Sequence, residues 1–447
     1  MIANSSTTIR FLLASRQCEL NSLRYLLQRG ELVGKISQLV HMLQRERGTS
    51  NMFLCAAEGQ FADELSQRAR DVAGAQAPLL AQLDTLESQI AASPQASRLF
   101  SHVASVIYAL SLLPALRQQI RQRKLPLPQA MSFFNDIIRH LLSLVFELTD
   151  TAAEPDISRA LIAMFSFMQG KEFAGQERAI AAAAFAAGQF SEETRQKLLD
   201  LIERQERCFA TFADFADEPH RLRWQQMQAD SQFERLRRIA CTGREGFAAD
   251  SGLRWFALAT QRIDAMKIEE DALAQTLMAH CRARIAAAEQ ASHQQQADIE
   301  SLMPQPEEEE SRYSVFIDNH GWLESGGVRP QLGRSLLTLV QQQSRRLQAL
   351  DTELAALRET LNERKQIERA KSLLMQHRQL SEEEAYKTLR SMAMNQNKKL
   401  VEIAGAMLAV ADVFPLPLRS SCTSGVRNVL SGSAKTCLAN ERILRNA

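Results

Sequence analysis

Residues 344–408 read SRRLQALDTELAALRETLNERKQIERAKSLLMQHRQLSEEEAYKTLRSMAMNQNKKLVEIAGAML, and the interpretation of the whole chain starts from this stretch. Apolar residues in its first half recur at spacings of three and four, which predicts one long coiled-coil helix. Polar breaks then separate two short helical segments, and basic residues are concentrated in these last parts. The stretch therefore predicts a coiled coil that carries a small basic helical module, an arrangement suited to regulated nucleic-acid binding.

The composition of the 447 residues predicts an all-α fold. Ala, Gln, Leu, Glu and Arg abound, and aromatic residues make up only 6%, which favours helices over strands. The 45% apolar and 23% charged residues are typical of a globular protein with room for two or three domains. Because the formal net charge is only +1, any surface that binds nucleic acid has to be local.

The cysteines and the apolar segments indicate a cytoplasmic protein. Seven cysteines lie far apart without a CxxC pair, so we expect free thiols and no metal site. The N-terminal MIANSSTTIRFLLASRQ has too short an apolar run for a signal peptide. No stretch approaches the roughly 18 apolar residues of a membrane span, and we therefore expect a soluble protein without a membrane contact.

Residues 1–300 form the first predicted domain, in which one amphipathic segment follows another. Gly or Pro stands between most segments, and short connections between such helices predict antiparallel bundles. RERGTSNMFLCAAEGQFADEL from Arg45 resembles QERAIAAAAFAAGQFSEET from Gln176, since both carry Glu-Arg, then Gly-Gln-Phe. This repeat predicts two four-helix-bundle-like units. The predicted helices include 9–28, 30–58, 96–123, 219–242, 247–265 and 268–299.

The rest of the chain is predicted to contain a linker, a helical domain and a tail. Residues 301–332 form the linker, because prolines and an acidic run interrupt the helical pattern. Residues 333–410 hold the coiled coil and the basic module, and residues 411–447 are predicted to be disordered. The coiled-coil stripe predicts a homodimer, with packing on the chain's own bundle as the alternative; it consists of Leu332, Leu336, Val340, Leu347, Leu350, Leu354, Leu357 and Leu361.

One arginine in the first domain occupies a position where a helix should be apolar. At about 100° per residue, Arg47 falls on the stripe of Val33, Ile36, Val40 and Leu43. A core-facing arginine needs a partner, because an isolated buried charge is very costly. The partner is either a structural carboxylate or a bound anion, which suits the planar guanidinium fork.

A second arginine cluster is RLRRIACTGR, which begins at Arg235. Arg235 and Arg237 flank the predicted buried stripe of its helix, whereas Arg238 points towards solvent. Two arginines that meet from different helices would make a clamp for a small anion, and the alternative is a solvated basic face. The sequence contains no nucleophile–base pair or metal-binding motif, so an enzyme is the weakest interpretation.

The C-terminal stretch resembles the ANTAR family of bacterial RNA-binding antitermination modules. The resemblance covers roughly residues 347–410, and Ser372 stands where the family usually has Gly. The residues that carry it are Arg364, Ile367, Glu368, Ala370, Lys371, Leu374, Met375, Ser381, Ala385, Leu389, Arg390, Ala393, Met394, Asn397 and Ala404. The family implies a coiled-coil helix followed by a three-helix module that binds paired hairpins in a nascent leader transcript.

The first 300 residues resemble the NIT domain, a helical module that senses nitrate and nitrite. The resemblance lies in LVHMLQRERGTS (39–50), MQGKEFAGQERA (168–179), the 235–238 cluster and WFALATQRIDAMKIEED (255–271). It implies nitrate or nitrite as effector, without any cofactor, bound between two arginines from different helices. Arg47 matches the first arginine, and Arg235 or Arg237 is the candidate for the second.

The two resemblances together imply a nitrate-responsive antiterminator of a nitrate assimilation operon. Anion binding would release an autoinhibited RNA-binding module, whose hairpin binding prevents terminator formation, so that RNA polymerase is affected only indirectly. The predicted RNA contacts are Arg364, Lys365, Lys371, Arg378, Arg390, Lys398 and Lys399, and the alternative for each is a solvated helix face. The rival interpretation of the whole chain is a coiled-coil protein-interaction adaptor without ligand sensing.

Overall fold

The fold was analysed in a computed structural model. It describes residues 2–56, 60–90, 96–149, 154–227, 230–243, 248, 250–302, 313–317, 321–325, 330–378, 380 and 382–413. The predicted tail at 411–447 lies almost wholly outside the described residues. The chain divides into two compact units, residues 1–358 and 359–447, and the domain boundaries given above stay predictions.

The all-α class is confirmed, because helices make up nearly all of the described residues. The helices are α1 (Ile2–Cys55), α2 (Ala62–Ile90), α3 (Ala96–Ser111), α4 (Leu113–Arg121), α5 (Leu127–Thr149), α6 (Pro155–Ala187), α7 (Glu192–Phe215), α8 (Glu218–Gln226), α9 (Ser231–Thr242), α10 (Ser251–Leu302), α11 (Pro330–Arg378), α12 (Glu382–Gln396) and α13 (Leu400–Val413). An antiparallel hairpin of β1 (Tyr313–Ile317) and β2 (Gly321–Ser325) lies within the predicted linker.

Three long helices organise the first unit. α1 packs against α2, α5, α6 and α10, and α6 packs in turn against α5, α7 and α10. Trp255 of α10 is fully buried, stacks on Phe233 of α9 at 5.0 Å, and donates its indole N–H to the carbonyl oxygen of Arg178 on α6. This aromatic contact fixes the position of α10 beside the arginine-bearing face of α6.

Several predicted helix boundaries are wrong, and packing explains the clearest case. The chain continues through Gly30 as one helix, α1, although the sequence predicted a break there. A Cβ at Gly30 would lie 2.8 Å from Sδ of Met278 on α10, so this glycine permits close helix packing rather than ending a helix. In the same way, 247–265 and 268–299 form the single helix α10, because no Gly or Pro separates them.

Two other predicted helices are each divided in the structure. The segment 96–123 is interrupted at Leu112, where Pro114 takes up an early position of α4 and favours a new helix start. Within the predicted segment 219–242, α8 ends at Gln226 and α9 begins after Asp230. The side chain of Asp230 accepts a hydrogen bond from the backbone N–H of Gln232. Capping of this kind marks a genuine N-terminus.

One apolar stretch departs from the expectation that nothing approaches a membrane span. Ser97–Arg121 is long and apolar enough to pass such a test, with one third of its apolar window buried. Its apolar residues include Val106, Leu110 and Leu113, which are almost fully buried in the first unit. A core helix of a globular protein has the same composition.

The second unit contains the predicted three-helix module. α11 ends at Arg378, α12 ends at Gln396 and α13 begins at Leu400, so both polar breaks of the sequence are confirmed. Asn397 has a positive φ of 48°, and the backbone N–H of Lys398 donates to the carbonyl oxygen of Ala393, which closes the end of α12. The core consists of Ala370, Leu374, Ala385, Leu389, Ala393, Ile403 and Ala404.

Candidate functional site

Arg47 lies in the core where α1 meets α5 and α6. Its side chain is 1% exposed, and the apolar stripe that precedes it on α1 is fully buried, as the sequence predicted. Nη1 donates to Oε1 of Glu172 and to Oδ1 of Asn135, both at 2.5 Å, and Nη2 donates to Oε2 of Glu172 at 3.1 Å. A structural carboxylate therefore pairs with Arg47 in this structure.

Glu172 connects α1 and α6 through a small polar network. Besides Arg47, its carboxylate accepts hydrogen bonds from the side-chain amides of Gln44 and Gln176, each at 2.8 Å. A carboxylate with this many donors is well satisfied, and removal of its arginine would leave a buried charge without its counter-ion. Such a loss costs about 3–5 kcal/mol of stability.

A second buried arginine, Arg178, approaches the same place from α6. It is 1% exposed, and it donates to the carbonyl oxygen of Gln44 at 2.7 Å and to the hydroxyl of Thr260 on α10 at 2.9 Å. Burial, and then the positive charge of Arg47, lower the pKa of Arg178 to about 9, against the opposing effect of Asp264 and Glu172. The sequence analysis did not select this residue.

The two arginines predicted as second partners have different environments on α9. Arg235 is exposed on α9. Arg237 forms two hydrogen bonds with the buried carboxylate of Glu177 on α6, from Nε at 2.7 Å and from Nη2 at 3.0 Å. Burial alone would lower the pKa of Arg237, but Glu177 raises it overall. Arg47 and Arg237 therefore pair with two different glutamates of α6, Glu172 and Glu177.

The internal repeat seen in the sequence has a geometric counterpart. Glu46, in the first copy, accepts from Nε and Nη2 of Arg117 on α4 at 2.6 and 2.8 Å. Glu177, at the corresponding place in the second copy, accepts from Nε and Nη2 of Arg237 in the same way. The residue after each glutamate is a buried arginine, Arg47 or Arg178. The repeat therefore places the same charged contacts twice in the first unit.

A second charged network lies between α1, α6 and α10. Lys171 and Glu270 are both fully buried and form an ion pair of 2.6 Å. Glu270 also accepts from Ser37, which in turn accepts from Lys267 at 2.7 Å. His41 belongs to this region, 3.6 Å from Asp264. Burial and the charges of Lys171, Lys267, Arg45 and Arg178 lower the pKa of His41 to about 2, so it is neutral at physiological pH.

The predicted RNA-contact residues have different environments in the second unit. Arg378, Arg390, Lys398 and Lys399 are exposed, and the last two lie in the turn that connects α12 to α13. Lys371 is only 6% exposed and pairs with Glu368 at 2.9 Å, which makes it less suited to a phosphate contact. The side chains of Arg364 and Lys365 lie outside the described residues.

Cysteines and possible metal ligands add no further site. Cys18, Cys55, Cys208, Cys241 and Cys281 are free thiols, while Cys422 and Cys437 lie outside the described residues. Among the described residues, no group of three His, Cys, Asp or Glu side chains could hold a metal ion.

Sequence reasoning missed Glu172, Glu177 and Arg178, although all three lie in one motif. MQGKEFAGQERA contains them within seven positions, and each is almost fully buried. The signal was present: charged residues on several faces of an otherwise apolar helix have to be neutralised inside the core. The sequence does not show which side chains these charges contact, because those partners come from α1, α7, α9 and α10.

Comparisons with known proteins agree with both resemblances. A family model for nitrate and nitrite sensing, NIT, matches residues 38–278, and the ANTAR domain model matches residues 355–408. The chain is 38% identical to a nitrate regulatory protein of Klebsiella oxytoca over 414 residues. This alignment covers 92% of this chain and 97% of that protein. It is also similar to the structure of the NasR transcription antiterminator, with a TM-score of 0.58, 36% identity, and coverage of 91% of this chain and 99% of that one.

We expect His41→Gln to make the stability of the first unit less sensitive to acid. The pKa of His41 in the folded protein is far below its ordinary value of 6.5, so the unfolded chain takes up a proton below that pH and the folded chain does not. Wild-type stability should therefore fall by about 1.4 kcal/mol per pH unit below pH 6.5 from this residue alone.

Denaturant unfolding at pH 7 and pH 5 measures this difference. The Gln variant should lose about 2 kcal/mol less than the wild type over that interval. His293→Gln, at an exposed position on α10, serves as the control and should keep the wild-type pH dependence. Equal pH dependence of wild type and His41→Gln would contradict the assignment of a neutral buried histidine.

Proposed function

The chain belongs to the nitrate- and nitrite-sensing NIT family and carries an ANTAR RNA-binding domain, and from this premise we propose that it controls transcription termination at a nitrate assimilation operon. It is a transcription regulator rather than an enzyme. Nitrate or nitrite is the effector and binds in the first unit. The ANTAR module binds hairpins of the leader mRNA in the cytoplasm and prevents formation of the terminator.

One observation carries the sensing part of the proposal, namely the buried position of Arg47. A guanidinium that is 1% exposed sits in a low-dielectric core, where a small anion gains much more from two parallel N–H···O contacts than it would at the surface. Arg47 also connects α1 to α5 and α6 through Asn135 and Glu172. An anion at this arginine therefore changes contacts among three helices at once.

The switch depends on a difference in anion affinity between two arrangements of these helices. An effector shifts such an equilibrium only by as much as its affinities for the two states differ. Without the anion, Glu172 neutralises Arg47 and the RNA-binding module is held inactive. With the anion, the Arg47–Glu172 contact has a competitor, the helices repack, and the module is released to bind RNA while RNA polymerase reads on.

The RNA-binding part rests on the exposed basic residues of the second unit. Lys398 and Lys399 protrude from a turn of three residues between α12 and α13, and Arg390 is exposed on α12. Asn395, Gln396 and Asn397 lie beside them and are exposed as well. Lysines neutralise phosphates, and side-chain amides can bond to the edges of unstacked bases, which are the two needs of hairpin recognition.

A homodimer through α11 completes the proposal. Val340 and Leu347, two members of the predicted coiled-coil stripe, are 40% and 50% exposed in the single chain. The family binds two hairpins of one leader, and two copies of the module would serve that purpose. A second α11 would remove both side chains from water.

Arg47→Ala should lose the heat of nitrate binding in calorimetry, because the anion loses its buried charged donor. We expect the affinity to fall by roughly 100-fold, since hydrogen bonds to charged groups contribute about 1.5–3 kcal/mol each. Arg24→Ala is the matched control, as it removes an exposed ion pair with Glu289 from the same helix. Wild-type nitrate affinity in folded Arg47→Ala would exclude this arginine from the site.

Lys398→Ala should weaken binding to a two-hairpin leader RNA and make that binding less dependent on salt. Loss of one phosphate contact reduces the slope of log K against log salt by roughly 0.7–0.9. Gel-shift titrations over a salt series measure the slope, with Lys197→Ala, a half-buried lysine on α7 of the first unit, as control. An unchanged slope and affinity would remove Lys398 from the RNA contact.

Replacement of both Val340 and Leu347 by Asn should convert a dimer into a monomer. Two polar side chains in the seam leave buried amides in place of apolar contacts. Sedimentation velocity distinguishes the mass of one chain from that of two, and Arg345→Gln, at an exposed position of the same helix, is the control. A wild-type chain that sediments as a monomer at micromolar concentration would refute the dimer.

A further inference from the structure

The carboxylate of Glu172 occupies the end of the Arg47 guanidinium. Oε1 accepts from Nη1 at 2.5 Å, and Oε2 accepts from Nη2 at 3.1 Å. A planar oxyanion makes the same end-on contact with an arginine, through two parallel hydrogen bonds. An anion that takes up this contact therefore displaces Glu172, which is an anion built into the chain.

Displacement would leave the carboxylate of Glu172 in the core without its ion-pair partner. Glu172 is 4% exposed, so water cannot take the place of the guanidinium. An ionised carboxyl group that is buried without a counter-ion is strongly disfavoured, and such a group takes up a proton instead. A buried anion alone would also add one negative charge to the core, whereas an anion and a proton together add none.

The side chain of Gln44 supplies an acceptor for that proton. Its amide Nε2 donates to Oε2 of Glu172 at 2.8 Å, while its Oε1 is buried and has no hydrogen-bond partner in the part of the chain that the structure describes. Buried acceptors without a donor require an explanation. A protonated carboxyl group has an O–H donor, which an ionised one lacks, and it would form two hydrogen bonds with this amide.

We propose that nitrate binds to this chain together with one proton from solvent, which Glu172 takes up. The inference rests on the proposed function and adds a second ligand to the same site. Nη1 and Nη2 of Arg47 exchange the carboxylate for the anion. The proton goes to the carboxyl oxygen that Arg47 releases, Oε1 of Glu172, and its new O–H donates to Oε1 of Gln44.

The other charged groups on the helices around Glu172 do not take over this role. Arg178 of α6 acts on Glu172 through its charge, but its hydrogen bonds go to the neutral oxygens of Gln44 and Thr260. His41 of α1 has a pKa of about 2 and exchanges no proton near neutral pH, and Arg45 of α1 acts on both His41 and Arg178. The remaining charges are paired as Glu46–Arg117, Asp136–Arg139, Asp200–Arg204, Glu177–Arg237 and Lys171–Glu270.

Calorimetry of the full chain with nitrate measures the proton directly. The titrations are made at pH 7 in MOPS and in Tris, at constant chloride concentration, because these buffers differ in their enthalpy of ionisation. The apparent binding enthalpy should follow the buffer enthalpy with a slope of about one proton per nitrate. Since binding consumes a proton, nitrate affinity should fall by up to about 10-fold from pH 6.5 to pH 7.5.

Glu172→Gln assigns the proton to this residue. The amide keeps the shape of the side chain but carries no negative charge that competes for Arg47, and it cannot take up a proton in this range. We expect this variant to bind nitrate at least as tightly as the wild type at pH 7.5, with the same affinity at pH 6.5 and without proton uptake. Glu154→Gln is the matched control, because Glu154 is also a buried glutamate of this helix region and pairs with Arg284. It should keep the proton uptake of the wild type.

The outcomes separate this inference from the proposed function. If the wild type binds nitrate without proton uptake, the inference fails and the proposed function stands. Proton uptake that persists in folded Glu172→Gln assigns the proton to another group and also overturns it. If that variant does not fold, infrared difference spectra of the wild type decide, since nitrate should produce the C=O band of a protonated carboxyl group and its absence refutes the inference. If the wild type binds no nitrate, the proposed function fails as well.

Discussion

The ion pair between Arg47 and Glu172 is the contact on which the first unit depends. It joins α1 to α6 at a place where both side chains are almost fully buried. Apolar residues would pack these helices equally well, since a buried ion pair is weak evidence for added stability. The anion binding proposed for Arg47 gives this buried charge a purpose that stability does not, and Glu172 is its counter-ion in this structure.

The internal repeat places a Glu-Arg pair at corresponding positions in the two halves of the first unit. Each copy contributes Glu-Arg, and each glutamate is satisfied by an arginine from a later helix, Arg117 or Arg237. The arginine that follows it is buried in both copies, and the positive charge of Arg47, after burial itself, lowers the pKa of Arg178. Arg47 pairs with the carboxylate of Glu172, whereas Arg178 donates to the neutral oxygens of Gln44 and Thr260.

Most of the fold was predictable from the sequence, because periodicity reports which side of a helix is buried. The stripe that ends at Arg47 and the polar breaks around α12 were predicted correctly for that reason, and the residues that identify the ANTAR module are largely its core, including Leu374, Leu389 and Ala404. The helix break predicted at Gly30 was wrong, because in a sequence a glycine that permits close helix packing looks the same as one that ends a helix. Arg178 was missed because pairing is a property of three dimensions, and periodicity does not show which helix faces which.

The contacts between α6 and α10 indicate how a structural change near Arg178 could be transmitted to other parts of the chain. Arg178 of α6 donates to Thr260 of α10. About three turns further along α10, Glu270 pairs with Lys171 of α6. α6 and α10 are therefore joined by polar contacts, which depend on distance and angle more strongly than apolar contacts do. α10 is one continuous helix to Leu302, so that it connects the region of Thr260 to the part of the chain that precedes the hairpin and α11. Coupling of this kind needs an element with two arrangements, and under the proposed function Arg47 of α1 would supply them by exchanging the carboxylate of Glu172 for an anion.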